Sequence, residues 1–162
     1  MTPERLKAAA FVLRCAGAAV LALLIATWLG LDHPVWATVS ALVVSQDRLG
    51  DTRRTLGWRL AATAVGIGVA VAVGSMLAAA GPGVMLGVTV VLCAALARWR
   101  ADLRLSMWTA AIVLLTVSPG QTLAHAGLAR GVEVLIGGLI GAVLHQLAEV
   151  VVGAVTRRWP IR

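Results

Sequence analysis

Apolar residues fall into six continuous segments, at about 8–31, 34–46, 56–80, 83–97, 105–118 and 131–153. Turn-forming stretches separate them: Asp32-His33-Pro34, Gly81-Pro82-Gly83 and Ser118-Pro119-Gly120. The runs lack the period-two alternation of membrane strands, so they predict helices throughout. A span needs about 20 apolar residues, and the pattern predicts one all-α, six-helix transmembrane domain over 1–162. The first segment begins with charges and turns apolar, as a secretion signal does. Its length, the presence of Arg14 within it and the lack of a small-residue cleavage site predict a retained helix instead.

Composition agrees with a membrane protein. Of 162 residues, 60% are hydrophobic and 13% charged, with a mean hydropathy of +0.92. Those values exclude an ordinary cytosolic enzyme, a disordered chain and a disulfide scaffold. Cys15 and Cys93 lie inside apolar runs, where free thiols behave as small hydrophobes.

The net charge of +7 changes the picture through its placement. Basic residues cluster at the N-terminus (Arg5, Lys7), at 46–59 (Arg48, Arg53, Arg54, Arg59), at 98–104 (Arg98, Arg100, Arg104) and in the tail (Arg157, Arg158, Arg162). These stretches alternate with poor ones, a topology signal that argues against nucleic-acid binding. The positive-inside rule predicts six crossings of the inner cell membrane with both termini cytoplasmic. Trp28 and Trp36 then fall at the outer interface, and Trp58, Trp99 and Trp159 at the inner one.

An internal repeat is also legible. WATVSALVVS opens the second segment at Trp36, and WTAAIVLLTV opens the fifth at Trp108. Arg59 and Arg130 follow, each leading to a pair of glycines: Gly66 and Gly68, then Gly137 and Gly138. An offset of three spans inverts the second copy, so halves of about 8–80 and 83–153 predict an inverted 3+3 repeat. In that arrangement Arg59 lies at the inner face and Arg130 near the outer face. The second and fifth segments are short, roughly 20 Å of helix against a hydrocarbon core of about 30 Å. Short segments at matching places in two halves point to a transport site. The alternative is that both span fully and recruit flanking polar residues. Ala62, Gly66, Ala70, Gly74 and Ala78, with Gly137 and Gly141, predict close helix packing within or between protomers of a homodimer.

Few residues could carry chemistry. Arg14 either snorkels to the inner interface or faces a polar cavity. Arg59 and Arg130 are expected to open their helices, where backbone N–H groups and guanidinium would together suit an anion. A surface pair between Arg130 and Glu133, three residues on, is the simpler alternative. His145 and Glu149 lie four apart on the sixth segment. With Glu133 they are candidates for proton coupling, since intramembrane ionisable groups are functional by default and histidine titrates near neutral pH. The alternative places Glu149 at the interface and bonds His145 to a neighbouring helix. His33, His125 and His145 are scattered, so no metal or other cofactor is expected. No Walker, GxSxG or HExxH motif is present, and no enzyme is predicted.

The stretch from His33 to Gly74 resembles the fusaric acid resistance-like (FUSC) and aromatic acid exporter membrane domain. The resemblance rests on Trp36, Ala37, Ser40, Val43, Gln46, Gly50, Thr52, Arg59, Thr63 and Gly66. It implies a proton-driven exporter of aromatic carboxylates or related organic anions in the lipid bilayer, with plant aluminium-activated malate channels as distant relatives. Larger members carry a cytosolic helical domain and often two six-span units, so assembly from copies is expected here. A substrate path is then expected from Trp36, Gln46 and Arg59 in one half and Trp108, Gln121 and Arg130 in the other. These supply a cation for a carboxylate, an amide to orient it and an indole face for an aromatic ring. A passive anion channel and a non-transporting subunit of a larger complex are the alternatives.

Overall fold

The computed structural model describes residues 3–45 and 49–158. Six α-helices follow one another in the expected order: α1 (Pro3–Trp28), α2 (Val35–Ser45), α3 (Leu49–Met76), α4 (Pro82–Trp99), α5 (Leu105–Leu115) and α6 (Leu123–Arg158). Short 3-10 turns at Ala78–Ala80 and Ala101–Arg104 precede α4 and α5. Among the described residues four helices are long and apolar enough to cross a membrane, through Ala8–Trp28, Arg54–Met76, Pro82–Trp99 and Leu123–Ala154. α2 and α5 have 11 residues each. That is about 16 Å of helix, roughly half the hydrocarbon thickness.

Three helix starts lie well before the sequence expectation. α1 begins at Pro3, not 8, α3 at Leu49, not 56, and α6 at Leu123, not 131. Apolarity marks the part of a helix that meets hydrocarbon, and a helix continues past it wherever its residues allow. For α6 the start is set by Thr122, whose hydroxyl accepts from the His125 N–H at 3.2 Å, an N-cap bond. Arg59 and Arg130 therefore sit within their helices, not at the first turn. The anion site at two helix N-termini is corrected accordingly.

The chain divides into two compact units: Met1–Leu56 with Leu135–Arg162, and Gly57–Val134. In the first, Ala18, Ala22 and Ala26 of α1 are fully buried against Ala37 and Ala41 of α2. Alanines four apart form a flat strip, so the two backbones approach closely. Gly137 and Gly141 of α6 press on the α2 backbone, where an added Cβ would overlap the carbonyls of Ala37 and Ala41. α1 stops in a Schellman turn: Gly30, at φ 67°, donates to the Thr27 carbonyl and Leu31 to that of Ala26.

The second unit repeats the device on α3, α4 and α5. Ala70, Cys93, Ala110 and Val113 are buried together, flanked by Ile67, Leu114 and Leu123. A Cβ on Gly66 would lie 2.7 Å from the Ser106 carbonyl oxygen and 2.9 Å from the Thr109 Cβ. The glycines expected to pack helices within or between protomers are thus engaged inside the chain. The Arg100 guanidinium stacks 4.7 Å from the Trp58 ring centre, tying the first half of α3 to the end of α4. Leu13 and Leu24 of α1, Val84 and Val91 of α4, and Val143 and Val150 of α6 are exposed. Large apolar side chains exposed on such long apolar helices suit contact with lipid.

Candidate functional site

A buried charged cluster forms in the second unit where α3 and α6 each contribute an arginine. Arg59 is 7% exposed and Arg130 4%. Glu133 follows Arg130 by three residues, so both side chains lie on one helix face. The Arg130 Nη1 donates to Glu133 Oε2 at 2.7 Å, and the carboxylate is 1% exposed. The pair expected at the surface, if at all, is in the interior. Arg59, on α3, is buried in the same unit as the pair. Its Nε is buried without a hydrogen-bond partner among the described residues. The Arg59 carbonyl accepts from the Thr63 hydroxyl at 2.8 Å, which keeps that hydroxyl within the helix.

Arg59 lies ten residues past the start of α3, or about 15 Å along it, and Arg130 seven past the start of α6, or about 10 Å. Among the described residues, the buried charges of this unit include two guanidinium groups, Arg59 and Arg130, and the Glu133 carboxylate bonded to Arg130. Burying a charge without a partner is costly, so such a cluster suits an anion.

The other sequence candidates fall elsewhere. Trp108 of α5 is 70% exposed. Gln121 is half-buried in the turn before α6, where its N–H donates to the Ser118 carbonyl at 3.0 Å. Trp36 is half-buried at the start of α2, in the first unit. Gln46, with Arg48, Trp159 and Arg162, lies outside the described residues. His145 is 1% exposed on α6 in the first unit, whereas Glu149, one turn on, is exposed. Among the described residues no group of three His, Cys, Asp or Glu is placed to hold a metal ion. Cys15 and Cys93 are free thiols.

Arg14 has a role the sequence left open. Its Nη2 donates to the Ser45 carbonyl at 2.7 Å. Ser45 is the last residue of α2, and the last turn of that helix carries no basic residue of its own. The final carbonyls of a helix lack intrahelical partners and carry the negative end of its dipole. A guanidinium from α1 answers both needs. The missing cation at the end of a short intramembrane helix was the signal available in the sequence.

A family model described as fusaric acid resistance protein-like matches residues 21–144, and the chain belongs to that family. No curated protein and no solved structure matches it.

Proposed function

We propose that this member of the fusaric acid resistance protein-like family is a membrane transporter that exports organic anions, aromatic carboxylates foremost. The observation that carries the reading is the buried cluster of Arg59, Arg130 and Glu133, with its uncompensated positive charge. Glu133 answers Arg130, and a substrate carboxylate would answer Arg59. Guanidinium presents a planar fork of donors that matches a carboxylate, and the orphaned Arg59 Nε is a donor in waiting.

The inverted repeat belongs to the same proposal. α2 and α5 are equally short. Gly66 meets α5 seven residues after Arg59, and Gly137 meets α2 seven residues after Arg130. Residues related by a two-fold axis and close to each other must lie near that axis. For halves of about 8–80 and 83–153 inverted across the bilayer, the axis runs in the membrane midplane, where transporters of this design bind substrate. Six crossings with both termini in the cytoplasm complete the topology. Trp36, Gln46, Trp108 and Gln121 are the proposed remainder of the path. A homodimer is also part of the reading, although the small-residue rows are used inside the chain.

Export is proposed to be proton-coupled through Glu133 and His145. A proton on Glu133 would release Arg130, leaving both guanidinium groups to the substrate. The test is flux of a radiolabelled aromatic acid into proteoliposomes, with and without a pH gradient. Uphill accumulation that needs the gradient supports an exporter. Downhill flux alone favours a channel, and no flux favours a subunit without transport of its own.

A further inference from the structure

Outside that cluster, the first unit carries an open groove of about 190 Å³ lined by Ala10, Phe11 and Arg14 of α1 and by Ala148, Glu149 and Val152 of α6. Four walls are apolar, and two residues of opposite charge face the same space. Arg14 follows the start of its apolar span, at Ala8, by six residues; Glu149 precedes the end of its span, at Ala154, by five. Each charge is thus about 7–9 Å along the helix from the span end. Long side chains at that depth reach the headgroup layer.

The two charges do not neutralise each other. Arg14 and Glu149 form no ion pair among the described residues. Arg14 is held from behind by its bond to the Ser45 carbonyl and by Phe11, whose ring centre lies 5.3 Å from the guanidinium carbon. Its Nε is buried and has no hydrogen-bond partner among the described residues. Guanidinium has five N–H donors, so an acceptor arriving in the groove finds donors already oriented. Glu149, opposite, is exposed and accepts only.

We propose that this groove binds the headgroup of an aminophospholipid, its phosphate on Arg14 and its ammonium on Glu149. The charge arrangement selects the class. A phosphate alone would face the Glu149 carboxylate, so an anionic lipid is disfavoured. A primary ammonium donates three hydrogen bonds to a carboxylate, which a quaternary choline cannot do. The volume suits a headgroup and not acyl chains. The chains would run along the apolar surface beside it, where Phe11, Val12 and Val151 are exposed. Such a lipid would lock the N-terminal part of α1 to the C-terminal part of α6.

Native mass spectrometry of the purified full chain, with equal amounts of phosphatidylethanolamine and phosphatidylglycerol of matched acyl chains, tests this. Wild type should retain the ethanolamine lipid several-fold over the glycerol lipid. Glu149→Gln should bring the two close to parity, and Glu149→Lys should reverse the preference. Ala148→Leu, which fills the groove, should lower retention of the ethanolamine lipid. Glu149 is exposed, so its variants leave the packing in place. Equal retention of both lipids by wild type, or an unchanged preference in Glu149→Lys, would overturn the proposal. So would displacement of the lipid by soluble phosphoethanolamine at equal concentration, which would make the occupant a small zwitterion.

Discussion

Arg59 of α3 and Arg130 of α6 are both buried in one unit, and one carboxylate, Glu133, is bonded to the second. Folding alone gives no reason to keep the unmatched cation. Its presence is explained if an anion spends part of the working cycle beside it, and the following outcomes depend on that explanation.

Stability and function should move in opposite directions at Arg59. Arg59→Gln removes a desolvated charge, so the substrate-free protein should melt at an equal or higher temperature in detergent. The same variant should lose transport. A drop in melting temperature would show that Arg59 has a structural partner and is not held for a ligand.

Glu133→Gln should act in the reverse sense. It leaves Arg130 buried without its carboxylate, and breaking a buried pair from one side costs about 3–5 kcal/mol. The double variant with Arg130→Gln should be less destabilised than Glu133→Gln alone. An aromatic carboxylate added to Glu133→Gln should recover part of the loss, read as a melting shift larger than in wild type. Equal shifts in the two proteins would place the ligand away from Arg130.

Much of this arrangement is legible in the sequence, and the rest has physical reasons. The apolar runs yielded six helices in order, and their lengths showed that α2 and α5 are short. Arg59 and Arg130 stood out because arginine twice preceded glycines at the same spacing. Their depth was not legible. Hydropathy reports where a helix meets lipid, so the polar start of α3, Leu49 to Thr55, read as a loop. The first turns of α6 carry little apolar signal, and their only mark in the sequence is the capping Thr122. That both arginines are buried in one unit depends on how helices pack, which a single sequence does not encode in its local pattern. The Arg14 tie to the Ser45 carbonyl is likewise a tertiary contact.

The glycines separate packing from propensity. Gly66→Ala and Gly137→Ala place a methyl against the backbone of α5 and α2, which cannot move aside as a side-chain tip can. Overpacking of this kind costs about 1–3 kcal/mol. Gly68→Ala, with open space where its Cβ would go, should be tolerated. Thermal melts of the three variants check this, and comparable melting in all three would refute the close approach of these helices.

Proton coupling should be separable from substrate passage. In proteoliposomes, His145→Ala is expected to abolish accumulation driven by a pH gradient while downhill exchange of the labelled acid continues. Glu133→Gln should likewise uncouple, since the proposed release of Arg130 is then permanent. Full gradient-driven accumulation in both variants would remove the two residues from the coupling path.

The most direct test is equilibrium binding of a radiolabelled aromatic carboxylate such as benzoate to purified protein, comparing wild type with Arg59→Gln and Arg130→Gln. A hydrogen bond to a charged group contributes about 1.5–3 kcal/mol, so each variant should bind at least tenfold more weakly, with Arg59→Gln folded as well as wild type. Unchanged affinity in both folded variants would contradict the assignment of the buried arginine cluster as the anion site.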